Sequence, residues 1–524
     1  MTLTNKRKSH SLIPGLLLPA KRLLVLVCLL MLVGCHFPQP IPEEQTFPAN
    51  HKTEVAGILH PENPGTPTPQ PLPTEGVSGV TPPPSPLVHM DGFLIYTIQQ
   101  GDTLPALAKR FGVEEADVQA DIPLSLTGLL PVGMQVQIPD VLERVLPFAD
   151  PILPDSEVIY GPSVGDFNAA EFARAADGFL AGYTELVRGE IMTGPEIVQR
   201  VAIDSSTNPR LLLAFLEYRS SWVFGYPPNA ETNRYPIGFG ATDTGLYNEL
   251  MISVKLLAQG FYGWREGNFL TLNFYRGGQG RPSPGLNAGS IALMALIAAL
   301  HDQAAWETQL YGEESFLAFY QTLFGDTWSR AATVEPYLLA TDRQPQMNLP
   351  FAPGEAWSLT GGPHITWQTG TPRGALDFAP ITGEPACAVS TRWVTASAPG
   401  LVVRAARSVV ALDLDGDGDE GTGWVVVYMH IADQDRVSVG TWLGVDEPVG
   451  HPSCEGGQST GTHVHLARKF NGEWLGVDEP LPMVLSGWRA FAGAARYEGY
   501  LQKGDLIVTS RPDGSSGSTI IRED

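Results

Sequence analysis

Gly461-Thr462-His463-Val464-His465-Leu466 sets two histidines two residues apart in a β-rich context, so on a strand both imidazoles leave the same face. That places two imidazoles over one metal-sized spot. Alone, the pair reads equally well as chance or as a satisfied polar pair, so residues elsewhere have to decide. Thr371-Pro-Arg-Gly-Ala-Leu-Asp377-Phe-Ala-Pro380 carries a carboxylate in a strand-like setting. Val425-Val-Val-Tyr-Met-His430 ends an apolar β-branched run with another histidine.

In this order, Asp377, His430, His463 and His465 resemble the LytM/lysostaphin-type zinc metallopeptidases, which cut peptide bonds in bacterial cell walls. The usual family pattern has its first zinc-ligand histidine four residues before the aspartate. That position here is Arg373, whose guanidinium has only donors and cannot bind zinc. In the β-lytic branch the histidine lies further upstream, and His364, at 377 − 364 = 13 residues before Asp377, suits that branch. The resemblance thus implies one zinc per chain on His364, Asp377 and His465, with a fourth position for water whose pKa falls to about 7. It implies His463 as general base, and His430 as the group that bonds the tetrahedral oxyanion or helps protonate the leaving amine.

A chain of 524 residues is long for one core and at about 100–200 residues per domain predicts around three. The expected fold class is multidomain: a small βααβ module, an all-α middle domain and an antiparallel all-β metallopeptidase domain at the C-terminus. With 56 acidic and 33 basic residues the formal charge is −23, which argues against a nucleic-acid partner. Lys6-Arg7-Lys8 and Lys21-Arg22 precede an apolar run too short to read as a spanning helix, and this predicts a signal peptide over 1–34. Leu32-Val33-Gly34-Cys35 resembles a bacterial lipobox. That resemblance implies lipidation of Cys35, attachment to the membrane through the lipid, and an extracytoplasmic location facing the wall. An uncleaved anchor or an ordinary signal peptide is the alternative, and either exports the protein. Residues 35–92, dense in proline and without apolar periodicity, form the predicted tether.

Residues 93–140 contain Tyr96-Thr-Ile98, Gly101-Asp-Thr-Leu104, Ala108-Lys-Arg-Phe111-Gly112 and Gly133-Met-Gln-Val-Gln-Ile138-Pro139, with helices expected near 106–112 and 114–120. These spacings resemble a LysM domain, which implies binding to the glycan of peptidoglycan. Gly101, Asp102 and Thr103, a turn and helix cap, are the candidate sugar-binding residues; alternatively they only build the fold. Being chemically separate from the zinc residues, the module is expected to act as an independent anchor.

Residues 155–345 read as helical, with apolar faces over 172–186, 195–203, 209–218, 246–259 and 288–301. The stretch at 208–222 weakly resembles the catalytic-helix region of lysozyme-like lytic transglycosylases. Aligned on it, the family's catalytic glutamate falls on Arg219, and Glu217 lies about 200° around the helix. A non-catalytic, degenerate lysozyme-like domain is therefore expected, with a plain helical spacer as the alternative.

Residues 352–485 make the predicted peptidase domain, and 486–524 a last strand and a tail that frays beyond 514. Cys387 and Cys454 are the two cysteines left after export and lipidation, and in an oxidising space they could pair or remain free thiols. Asp413, Asp415 and Asp417 look like a calcium loop, but position twelve is Trp424 rather than glutamate. An acidic hairpin tip is the expectation and bound Ca2+ the alternative. The leading function is a lipid-anchored zinc endopeptidase of peptidoglycan; the rival is a catalytically silent wall-binding scaffold or activator of another hydrolase. A candidate for each of the five site positions favours the enzyme.

Overall fold

The computed structural model describes residues 85–240 and 244–523. The expected signal peptide, Cys35 and most of the proline-rich tether lie outside the described residues. Among those described, no helix is long and apolar enough to cross a membrane.

In the first module, Leu87–Met90, Phe93–Thr97 and Gln135–Pro139 form a three-stranded antiparallel sheet, one strand more than expected. The helix Leu104–Phe111 starts where Thr103 accepts the Ala106 amide, and it ends at Gly112, at φ 71°. Leu104, Leu107 and Phe111 pack on Leu94, Tyr96 and Ile138. The expected second helix shrinks to a single turn, Glu115–Asp117. Gln119 instead exchanges backbone hydrogen bonds with Gln137, so the chain is drawn into the sheet.

The helices Gly194–Ser205, Pro209–Ser220, Leu246–Arg265 and Ala288–Ala298 follow the apolar periodicity. The expected helix over 172–186 breaks after Ala169–Ala176, at Asp177 in the left-handed region and at Gly178, where any Cβ would strike the Val223 carbonyl. Residues 184–187 pair with 190–193 as a hairpin, and Leu272–Asn273 with Gln279–Gly280, so the domain is not all-α.

The last region is built on a nine-stranded antiparallel sheet. From one edge its path runs Trp442–Leu443, Gly400–Ala406, Val409–Asp413, Trp424–Met429, Val464–Phe470, Arg373–Pro380, Ala356–Ile365 and Thr519–Ile521, with Glu473–Trp474 paired beside Val464–Phe470. Alternate residues of its central strands enter two different cores. Val426, Tyr428, Leu466, Leu376 and Phe378 face the domain's own core, while Val425, Val427, Ala467, Ala411 and Ala375 share a core with the helices. That is why Val425-Val-Val-Tyr428 is continuously apolar: both faces are covered. Each valine so buried contributes on the order of 2 kcal/mol, so the helical domain is a layer of the sheet rather than a spacer. Arg404, which pairs with Asp204 of the helical layer at 2.7 Å and with Glu420, fixes the same junction.

The tail does not fray. Ile520 is buried opposite Trp357, and Arg522 donates to the Leu349 and Phe351 carbonyls. A four-stranded sheet comprising Val484–Leu485, Trp488–Ala492, Gly499–Lys503 and Leu506–Thr509 completes the domain, so the division expected after 485 falls inside one folded unit.

The first module is not a free anchor either. Its residues 100–103 are buried against the helical layer, where Arg265 donates to the Gln100 carbonyl, to Asp155 at 2.9 Å and to Glu473 at 2.7 Å. Gln100 itself accepts from the Tyr337 amide. One guanidinium thus joins all three parts of the described chain, and the expected independence of the module is corrected.

Candidate metal centre

Strand register brings the expected ligands together. His465 lies directly opposite both Asp377 and Met429 on its two neighbouring strands. His364 reaches the same place because the pairing of its strand with Arg373–Pro380 shifts register around Gly361 and His364, which re-aims the side chain. Gly361 has to be glycine, since a Cβ there would run into the Asp377 carboxylate.

The separations are 3.0 Å from His364 Nε2 to His465 Nδ1 and 3.3 Å from each of these to Asp377 Oδ1. Donors about 2.0–2.1 Å from a tetrahedral zinc lie roughly 3.3 Å from one another, so the set fits such an ion. Protonation points the same way. His364 Nδ1–H donates to the Gly362 carbonyl at 2.8 Å, and His465 Nε2–H to the Thr366 carbonyl at 3.0 Å. A carbonyl can only accept, so in neutral imidazoles the facing nitrogens carry lone pairs. Asp377 Oδ1 is buried without a geometrically sound hydrogen-bond partner. Three lone pairs converging at these distances repel unless a cation lies between them. Burial would raise the Asp377 carboxyl; what holds it well below the usual carboxylate range is donated N–H or positive charge facing it, from His364 and His465 when protonated there or from a cation in that place.

Two further histidines flank the centre. His463 Nδ1–H donates to the Gly461 carbonyl at 2.7 Å, and its Nε2 lies 3.7 Å from Asp377 Oδ1. His430 adopts φ 64°, a strained conformation for a non-glycine residue, and donates through Nδ1–H to the Glu455 carbonyl at 2.9 Å. The two rings lie 4.5 Å apart. Burial, and then the neighbouring His463, push His430 down to about 4, so it is neutral at pH 7 with a bare Nε2.

Cys387 and Cys454 are joined, with Cα atoms 5.0 Å apart. The disulfide ties the loop before Trp393 to the one leading into His463, where Thr462 donates to the Ala388 carbonyl. Arg373, at the usual ligand position, donates to the Gly493 carbonyl at 2.7 Å and holds the loop that carries Tyr497. Tyr497 was missed by sequence reasoning. Its ring stacks on His364 at 4.3 Å, and burial together with Asp377 raises its hydroxyl above the usual phenol range, so the proton stays on. Nothing in Arg496-Tyr497-Glu498 signals a site; only the fold brings the ring there.

The other candidate residues fare differently. Asp413, Asp415 and Asp417 bring carboxylate oxygens within 4.8 Å of one another. Asp413 is fully buried and accepts the amides of Asp415, Gly416 and Gly418, the work of a hairpin tip. Gly101, Asp102 and Thr103 are not offered to a sugar. Asp102 is spent on Arg110, the Tyr96 hydroxyl and the Gln99 amide, Thr103 caps its helix, and a Cβ on Gly101 would strike Arg265. In the helical layer, Glu217 accepts the Val223 and Phe224 amides and Arg219 donates to the Ile237 carbonyl, so both serve the fold.

Comparison with known proteins adds to this geometry. A family model described as "LasA, N-terminal domain" matches residues 151–337, the stretch read from sequence as weakly lysozyme-like. A model described as "LysM domain" matches residues 96–139. The chain is similar to protease LasA of Pseudomonas aeruginosa, 25% identical over 327 residues that cover 57% of this chain and 72% of the relative. It is also similar to beta-lytic metalloendopeptidase of Achromobacter lyticus, 28% identical over 160 residues that cover 29% of this chain and 40% of the relative. Among solved structures it resembles the M23 metalloprotease pseudoalterin from the deep sea, with 25% identity, a TM-score of 0.27, and coverage of 33% of this chain and 96% of that one.

Proposed function

We propose that the chain is a LytM-type metalloendopeptidase carrying a LysM domain and that it hydrolyses peptide bonds of peptidoglycan at one zinc ion held by His364, Asp377 and His465. The observation that carries the reading is the convergence of His364 Nε2, Asp377 Oδ1 and His465 Nδ1, two imidazole lone pairs and one ionised carboxylate oxygen, at zinc-ligand spacing. A zinc bound there supplies a Lewis acid and lowers the pKa of water to about 7.

The chain's own groups divide the rest of the work. His463 keeps its proton on Nδ1, so Nε2 is free to take one from the attacking water. His430 is in the same state at rest: with Nδ1–H committed to Glu455 it has nothing to give an oxyanion from Nε2. It becomes a donor only after it has accepted a proton, for which the one taken from water by His463, whose ring lies 4.5 Å away, is the source, and this suits delivery to the leaving amine rather than a standing oxyanion bond. Tyr497 keeps its proton and is a hydroxyl donor at the rim of the site. All five positions expected of an active member are filled, which favours the enzyme over a silent scaffold.

The lipobox-like Leu32-Val33-Gly34-Cys35 supports an exported protein lipid-anchored at Cys35. Labelling with radioactive palmitate, lost in Cys35→Ala, tests the anchor. Elemental analysis together with muropeptide analysis of digested walls tests the enzyme. The expected result is one zinc per chain and new peptide ends, both lost in His364→Ala. Full zinc in that variant would sink the ligand assignment.

A further inference from the structure

The Cys387–Cys454 bond neither holds the metal nor moves a proton, yet it closes the loop that orients both proton-moving histidines. Residues 454–461 of that loop read Cys-Glu-Gly-Gly-Gln-Ser-Thr-Gly. Glu455 offers the carbonyl that accepts His430 Nδ1–H at 2.9 Å, and Gly461 the one that accepts His463 Nδ1–H at 2.7 Å. Ser459 links the two ends: its hydroxyl donates to the Gly461 carbonyl at 2.8 Å and lies 3.3 Å from Cys454 Sγ.

Gly456, Gly457 and Gly461, the first two at φ 67° and 75°, leave the loop a wide choice of conformations, so its shape has to be imposed from outside. The bond ties it to residues 382–391, which carry braces of their own. There Glu384 accepts the Ser390 hydroxyl at 2.7 Å and the Thr391 amide at 2.8 Å. None of the three metal ligands lies on either loop: His364, Asp377 and His465 stand on the strands Ala356–Ile365, Arg373–Pro380 and Val464–Phe470. Cys387 is exposed and Cys454 half-buried, so a thiolate can approach the bond from the Cys387 side of the folded chain. Exposed disulfides are the labile ones, whereas structural ones resist reduction.

We propose that this bond is a redox switch on turnover: intact, it positions His430 and His463, and reduced by a dithiol it leaves the metal held while both acceptor carbonyls lose their fixed places. The inference rests on the endopeptidase reading above. In the step, a thiolate of the dithiol attacks Cys387 Sγ, the Cys387–Cys454 bond breaks, and Cys454 leaves as a thiolate that takes up a proton. The second thiol of the dithiol then displaces Cys387 from the mixed disulfide. Two electrons pass to the protein, its two cysteines end with the two thiol protons, and the dithiol ends as a disulfide.

The test compares the full zinc-loaded chain oxidised, treated with dithiothreitol and reoxidised, beside a Cys387→Ser/Cys454→Ser double variant. A misplacement of about 1 Å is costly to a proton-transfer step, so on reduction kcat for a soluble peptide is expected to fall at least about ten-fold with KM within about two-fold. One zinc per chain should remain, and reoxidation should restore the rate. The double variant should start at the reduced level and not respond to dithiothreitol. An equal loss in the variant, or loss of zinc from the reduced chain, would mean that the reagent strips the metal and would overturn the switch. Should the double variant misfold, the cycle of reduction and reoxidation of the wild type still decides, and an unchanged kcat in a reduced, folded chain that cuts peptide would overturn the proposal. Long-range 1H–15N spectra of the histidine-labelled chain read the ring tautomers in parallel: Nδ1–H at His430 and His463 is expected when oxidised and a mixture when reduced. Tautomers that answer to reduction in a chain that cuts no peptide in either state would instead remove the enzymatic reading and leave the positioning.

Discussion

The strand that carries His463 and His465 and the loop that carries Gly101, Asp102 and Thr103 are equally recognisable in sequence, yet they end in opposite environments. His465 converges with Asp377 and His364, and Asp377 Oδ1 is left buried without a hydrogen-bond partner. The loop is satisfied on every side: Asp102 has three partners, Thr103 caps a helix, and Arg265 closes the approach to Gly101. A site is marked by polar groups the fold leaves without partners, whereas a motif whose groups are all spent has become structure. The contrast can be broken or sharpened by experiment.

The largest effect is expected at the metal. Asp377→Ala removes the one anionic ligand, so zinc should be lost and peptide cleavage should fall by more than about 10³-fold. Elemental analysis beside a rate assay reads both, and retention of zinc with activity would place the ion elsewhere. Next comes the seam. Arg265→Ala leaves Asp155 and Glu473 buried without their cation, at a cost of about 3–5 kcal/mol. Denaturant unfolding should show that loss across the whole described chain, since the guanidinium joins all three parts. A stability unchanged within error would mean that the seam is not formed in solution.

His463→Ala and His430→Ala should each keep stoichiometric zinc and lose about 10²–10³ in rate, because neither side chain belongs to the converging set. Loss of zinc from either variant would move that histidine into the ligand set and break the division between holding the metal and moving protons.

How much of this could be read from the chain differs residue by residue. That His463 and His465 leave one face was legible in their two-residue spacing, whereas Asp377 entered through the order of the family motif. His364 was legible only through the β-lytic resemblance, since register shifts, which no pattern predicts, carry it into place. Tyr497 was not legible: it lies beyond the last motif and is aimed by a loop tied to Arg373. The layering of helices on the sheet did leave a trace in Val425-Val-Val-Tyr428, where an alternating strand would have implied one wet face. The burial of residues 101–103 left none, because a glycine turn and a cap read the same whether they face water or Arg265.

The seam also differs from the metal centre in how it should answer to pH. Glu335 lies in the seam, where its carboxylate accepts the Ser156 amide at 2.7 Å. Burial first, and Asp155 beside it second, raise its pKa to about 7. An acid whose folded pKa lies above its unfolded value, here about 4.3, binds more protons folded than unfolded at intermediate pH. The stability it contributes is full below pH 4 or so and drains away as pH rises to about 7. Glu335→Gln keeps the shape and the acceptor but cannot ionise, so the variant should lose less stability across that window than the wild type, by on the order of 2 kcal/mol. Urea unfolding at pH 4.5 and pH 7.5 measures the difference directly. Parallel pH dependences in the two proteins would mean that Glu335 is ordinary in the folded state and that water reaches the seam.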